Sequence, residues 1–136
     1  MEREQHFPRD VAALEAIYAF VCGFFSASGF DPEDSSTVQL FIEEIFTNMV
    51  KYSKDGKQDI AIRLRRKGDV VEIRLVDFDV QPFDYARAPA VEPEQLLAQK
   101  KAGGLGLHLV RTMADRFAYE HTNGNSMVTI EKRLGG

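Results

Sequence analysis

Glu44 and Asn48 stand four residues apart in the stretch Leu40–Ser53, Leu-Phe-Ile-Glu-Glu-Ile-Phe-Thr-Asn-Met-Val-Lys-Tyr-Ser. A helical wheel at roughly 100° per residue gathers Val38, Phe41, Ile42, Ile45, Met49 and Tyr52 on one apolar stripe. Glu44 and Asn48 then stack on a common face at the edge of that stripe, while Glu43 points to the other side. A carboxylate and a carboxamide held side by side against a core can position a water, a hydroxyl or a hydrated magnesium ion. The same spacing also describes the solvated flank of an ordinary amphipathic helix, so the pair needs company to mean chemistry.

Two further features supply it. Asp77 follows the alternating run Val71, Ile73, Leu75 in the same phase, so its carboxylate points to the apolar face. An inward carboxylate needs a partner, either a protein donor or a ligand. Gly103-Gly104-Leu105-Gly106 then opens the apolar-periodic run Leu107–Ala114. A glycine-rich turn at a helix start exposes backbone N–H groups at the positive end of the helix dipole, which suits a phosphate. Tight turns use the same glycines without any ligand.

The elements that must position these groups follow from periodicity and punctuation. Residues 3–7 read as a short edge strand before Pro8. Asp10 caps a helix running to about Ser28, with Val11, Leu14, Ile17, Tyr18, Val21 and Phe25 on one face and Ala16, Phe20 and Phe24 on a second. Gly29 ends it, and Asp31-Pro32 begins the helix that carries Glu44 and Asn48 to about Ser53. Lys54–Lys57 reads as a turn. Ile60, Ile62 and Leu64 alternate, as do Val71, Ile73 and Leu75 after a Lys67-Gly68-Asp69 turn, which predicts a hairpin of half-buried strands. From Phe78 to Ala102 the pattern fails, apart from a short helix at Glu94–Gln99, and the stretch reads as a mobile lid. Arg116–His121 and Ser126–Arg133 are closing strands around Asn123-Gly124, a strong hairpin turn. The order predicts an α+β fold: a two-layer α/β sandwich with helices on one face of a mixed, mostly antiparallel sheet.

Composition bounds the function. The 136 residues, 44% of them hydrophobic, suit one domain spanning 1–136. A net charge of −4 gives no bulk attraction to nucleic acid or to an anionic membrane, so no direct contact with either is expected. No apolar run approaches the roughly 20 residues of a membrane span. The charged N-terminus lacks a signal-peptide core, and a cytoplasmic chain is expected. Cys22 stands alone, which excludes an internal disulfide, and its apolar neighbours predict a buried thiol. His6, His108 and His121 show no metal-ligand spacing.

In combination, Glu44-x-x-x-Asn48, the inward Asp77, the irregular lid and Gly103-Gly104-Leu105-Gly106-Leu107 resemble the ATP-binding domain of gyrase, MutL and sensor histidine kinases, the Bergerat or GHKL fold. The likeness covers nearly the whole chain. The Phe-Thr-Asn-Met-Val-Lys-Tyr-Ser wording and the Gln81–Asp84 Gln-Pro-Phe-Asp look most like stand-alone anti-sigma-factor serine kinases. The resemblance implies ATP and Mg2+ as cofactors. It implies Glu44 as the general base, Asn48 as the magnesium ligand, and Asp77 as the acceptor of a hydrogen bond from the adenine amino group. It also implies that Gly103, Gly104, Leu105 and Gly106 meet the phosphates where the lid ends. Lys51, one turn beyond Asn48, and Lys100 and Lys101 in the lid can reach a phosphate or serve as solvated charges. The implied activity is phosphorylation of a serine on an anti-sigma-factor antagonist-like protein, with a sigma factor as a second partner and a homodimer as the assembly.

One departure bears on this. The family's first glycine box reads Asp-x-Gly, whereas this chain has Asp77-Phe78-Asp79, and its Pro-Phe-Asp tail sits one residue further along. Asp79 adds a negative charge near an anionic ligand, which opposes binding. The alternative expectation is therefore a protein-binding regulatory module on the same fold, with weak or no kinase activity.

Overall fold

The computed structural model describes residues 1–53, 56–82 and 104–134. Strand β1 (Glu2–Phe7) is followed by a 3-10 turn and helix α1 (Leu14–Ser28). A second 3-10 turn leads into helix α2 (Ser35–Tyr52), then strands β2 (Ile60–Lys67) and β3 (Val70–Asp77). Helix α3 (Gly104–Met113) and strands β4 (Arg116–Thr122) and β5 (Asn125–Arg133) complete the described chain. The five strands lie in the order β1-β2-β3-β5-β4, and every described pair is antiparallel. The expected α+β sandwich is present, without the parallel pairing that a mixed sheet would have.

Local chemistry explains the boundaries. The Asp10 and Asp31 carboxylates accept from Ala12 N–H and Glu33 N–H, so both predicted caps form, each on a 3-10 turn that leads into the helix. Gly29 ends α1 at φ 81°, and its N–H donates to Phe25 O. Arg66 reaches across from β2 to donate to Ser28 O and lies over the Phe30 ring, 4.2 Å from its centroid. Asn123 and Gly124 both take positive φ, 56° and 81°, as a two-residue hairpin with right-handed twist requires. Lys132 Nζ donates to Met113 O at 2.9 Å, placing a cation at the C-terminus of α3.

The core fills the space between the helices and one sheet face. Ile17, Val21, Phe24 and Phe25 of α1 meet Val38, Phe41, Ile42, Ile45, Phe46 and Met49 of α2 over Ile60, Ile62, Leu64, Val71, Ile73, Leu75, Val128 and Ile130. Leu107 and Val110 bring α3 onto the same core beside α2.

Several expectations need correction. Tyr52 leaves the apolar stripe and is exposed, because α2 ends at that residue. Cys22 is exposed too: α1 buries Val21, Phe24 and Phe25, and Cys22 falls between those faces, where Gln39 Nε2 lies 3.5 Å from its sulfur. Ala16 is likewise exposed, so the second face of α1 is covered only at Phe20 and Phe24. Val11–Ser28, 18 residues long, is by length and composition apolar enough to cross a membrane, contrary to the reading of the sequence. Its Ile17, Val21, Phe24 and Phe25 are spent on the core instead. The helix expected at 94–99, most of the lid, Lys100, Lys101 and Gly103 lie outside the described residues.

Candidate active site

Helix α2 carries Glu44 and Asn48 one turn apart. Its apolar stripe is pressed on the sheet, which carries Asn48 under cover (5% exposed) and leaves Glu44 half-buried one turn earlier. Glu43 turns the other way and accepts a hydrogen bond from Tyr18 Oη at 3.0 Å. The Glu44 pKa is raised, first because burial strips water from its carboxylate and second because the Glu43 charge is adjacent. A carboxylate with raised proton affinity is a better general base.

Asn48 has an orphan. Among the described residues no acceptor meets its Nδ2, although the atom is buried. Leaving such a group unmade costs about 1–3 kcal/mol, so an unmet buried donor at the edge of a helix invites a ligand. The unmet N–H calls for an acceptor such as a phosphate oxygen, while the carbonyl oxygen of the same amide is the atom that suits hydrated magnesium. Mg2+ prefers hard oxygens, keeps several waters, and is commonly held by one or two side chains plus substrate phosphates. The Asn48 carbonyl oxygen offers such a ligand, and no cluster of three His, Cys, Asp or Glu side chains competes for a metal among the described residues.

Asp77 ends β3 with its side chain wholly buried, as its phase predicts. Its partner is Arg9, a residue the sequence reading did not single out. Arg9 Nη1 pairs with Asp77 Oδ1, and Nη2 lies 3.4 Å from Oδ2. The same Nη2 donates to Met49 O at 2.9 Å and to Ser53 O at 2.8 Å, the carbonyls at the C-terminal end of α2. One guanidinium therefore joins the residue after Asn48 to Asp77, so these parts of α2 and β3 lie within the span of a single side chain. Gly56 closes over it: a Cβ built there would stand 2.5 Å from Arg9 Cζ. Only a residue without a side chain permits that approach.

Beyond Asp77, the missing glycine has left its backbone signature. Asp79 adopts φ 57°, the left-handed conformation that glycine takes without cost. The turn is held by Asn125 Oδ1, which accepts from Asp79 N–H at 3.0 Å, and by Gly124 O, which accepts from Val80 N–H at 2.8 Å. His121 Nε2 adds a contact to Val80 O at 2.7 Å. The Asp79 side chain itself is exposed.

Gly104, Leu105 and Gly106 form the first turn of α3, and α3 packs against α2, the helix that carries Glu44 and Asn48. Lys51 is exposed, with Nζ 5.6 Å from the centroid of the Tyr52 ring. Lys101 and Gly103 lie outside the described residues. A shallow hollow lined by Val76, Glu120, Thr122, Asn123, Asn125 and Met127 shares none of these site residues. In the strand register it lies on the sheet face opposite Asp77.

Residues 7–132 match the family model for the histidine kinase-like ATPase domain. The chain belongs to the histidine kinase-like ATPase domain family. Among relatives within or around this ATPase family, serine-protein kinase RsbW of Bacillus velezensis is 24% identical over 139 aligned residues, spanning 98% of this chain and 86% of that protein. Serine-protein kinase RsbW of Bacillus licheniformis is 30% identical over 115 residues, spanning 79% and 69%. Two solved structures share the fold. The RsbU and RsbW domains of Rv1364c from Mycobacterium tuberculosis align with a TM-score of 0.65 at 17% identity, over 98% of this chain and about a third (32%) of that longer one. The SiaB–SiaC complex from Pseudomonas aeruginosa aligns with a TM-score of 0.60 at 13% identity, over 96% of this chain and 88% of the other.

Arg9, the partner of Asp77, and Gly56, which packs on Arg9, are the neighbours that sequence reasoning missed. Arg9 lies between Pro8 and the cap Asp10, outside any periodic run, and Gly56 reads as an ordinary turn glycine. Only the inward phase of Asp77, which demanded a cation or donor somewhere, hinted at either.

Proposed function

We propose that this chain is an ATP-dependent serine-protein kinase of the RsbW kind, which binds a regulatory partner and phosphorylates a serine on a small antagonist protein. The observation that carries the proposal is the pair on α2: a half-buried carboxylate of raised proton affinity one turn from a buried carboxamide with an unmet donor. Glu44 takes the proton from the serine hydroxyl as that oxygen attacks the γ-phosphorus and the bond to the ADP oxygen breaks. Phosphoryl transfer needs little else from the protein besides positioning and charge neutralisation. The Asn48 carboxamide oxygen would hold magnesium, which would supply part of that neutralisation. The first turn of α3, with Gly104, Leu105 and Gly106, offers N–H groups to the phosphates, and Gly103, Lys101 and Lys51 extend the same cradle in this reading. Asp77 accepts from the adenine amino group. A sigma factor as second partner, a homodimer and a cytoplasmic location belong to the same reading.

A second reading, a partner-binding module with weak catalysis, draws on the Arg9–Asp77 pair and on Asp79 in the glycine position. The two part in one experiment. The protein is incubated with ATP, magnesium and antagonist proteins encoded beside it, and phosphoserine is sought by mass spectrometry. Phosphoserine that disappears when magnesium is chelated supports the kinase; stable complex formation without phosphoserine supports the binding module.

A further inference from the structure

We propose that Arg9 is an internal competitor for the base of the nucleotide: its guanidinium occupies the Asp77 carboxylate and must leave before adenine can be recognised there. This rests on the reading of Asp77 as the adenine acceptor. Asp77 is 0% exposed, so no ligand atom can touch it while its surroundings stay as they are. Among the described residues, Arg9 is a movable part of those surroundings. It is a long side chain on the connection from β1 to α1, 12% exposed and held by hydrogen bonds.

Releasing it breaks the charged pair with Asp77 and two hydrogen bonds to carbonyls at the end of α2. Met49 O keeps the Ser53 N–H at 3.1 Å, and Ser53 O keeps the Gly56 N–H at 3.0 Å, so neither carbonyl is orphaned when Arg9 leaves. The larger loss is the charged pair with Asp77, and an adenine amino group donating to the same carboxylate replaces only part of it. The apparent affinity for ATP is thus lowered by the fraction of molecules in which the pair is open. Phosphate binding, which does not involve Asp77, is untouched.

Gly56 provides the gentlest way to test this. A methyl group there collides with Arg9 Cζ, Nη1 and Nη2, the far end of a flexible side chain, and displaces the guanidinium without removing it. Mg-ATP and Mg-tripolyphosphate, a probe without adenine, are titrated calorimetrically into wild type, Gly56→Ala, Arg9→Gln and Gly56→Ala/Asp77→Asn, each verified as folded by its thermal transition. Minor states are commonly populated at about 0.1–10%, so Gly56→Ala and Arg9→Gln are expected to bind ATP at least about tenfold more tightly. Tripolyphosphate affinity should not change, and Asp77→Asn should erase the gain. A wild type that binds ATP as tightly as, or more tightly than, both folded variants overturns the competitor. Equal gains for ATP and tripolyphosphate also overturn it, since the effect then lies at the phosphates. If ATP binds to none of the four proteins, the nucleotide reading of the site fails and the competitor fails with it.

Discussion

Asn48 and Asp77 are both buried polar groups at the edge of the same core, and the chain treats them oppositely. Asn48 keeps a donor with no protein partner among the described residues, whereas Asp77 is met by an arginine that also stitches two helix carbonyls. An unmet amide is a standing cost that a ligand can relieve. A paired carboxylate is a cost already relieved, and a ligand must compete for it. The α2 side of the site therefore keeps an open donor, while the β3 side is occupied by the protein's own cation.

Perturbing each side should expose the contrast. The largest effect is expected for Glu44→Gln, which removes the base beside the unmet amide. Phosphoryl transfer should fall by roughly 10²–10⁴-fold with ATP affinity nearly unchanged, measured by single-turnover assay and calorimetry. Transfer at the wild-type rate would mean that another group takes the proton.

Next comes Asp77→Ala on the occupied side. Removing the charged partner of Arg9, which is then free to turn to solvent, should cost about 1.5–3 kcal/mol of stability in chemical denaturation. A loss below about 1 kcal/mol would show that the pair is loosely held, contrary to its burial.

Asn48→Leu should do the reverse. It removes the unmet donor, so ligand-free stability should hold or rise by about 1–2 kcal/mol, while magnesium-dependent ATP binding is lost. A clear loss of ligand-free stability would mean the amide is already satisfied and the contrast false.

The acid limb of the transfer rate should lie above the ordinary glutamate range, because burial and Glu43 raise the Glu44 pKa. Glu43→Gln should move that limb to lower pH. The linked effect on folding has a definite sign. The native state binds the Glu44 proton more tightly than the unfolded chain, so ionising it on raising the pH through the folded pKa costs stability. Glu44→Gln should therefore relieve a penalty at neutral pH that vanishes below the unfolded-state pKa. A limb that does not respond to Glu43→Gln would assign the titration to another group.

The smallest effect belongs to Asp79→Gly. Relief of the left-handed backbone should roughly offset the greater freedom of glycine in the unfolded chain, leaving a gain of about 1 kcal/mol or less. A destabilisation beyond about 1 kcal/mol, seen by thermal denaturation, would mean that the Asp79 side chain makes a contact worth more than the strain.

Much was legible in the order of residues alone, because it depends on neighbours a few positions apart. The α2 stripe with Glu44 and Asn48 on its edge needs only a 3.6-residue repeat, and the Asp77 phase needs only alternation. The caps at Asp10 and Asp31 and the Asn123-Gly124 turn are likewise local chemistry. Where a helix face is only partly covered, periodicity misleads: Cys22 and Ala16 sit on apolar-looking faces of α1, yet both are exposed. What only the tertiary structure decided is which cation answers Asp77. Arg9 and Asp77 are 68 residues apart in the chain, and Gly56 reaches them from a third segment. No local pattern encodes such a meeting. It arises when the antiparallel register of β1 on β2 and of β2 on β3 brings the end of β1 beside the end of β3, with the last turn of α2 across them both.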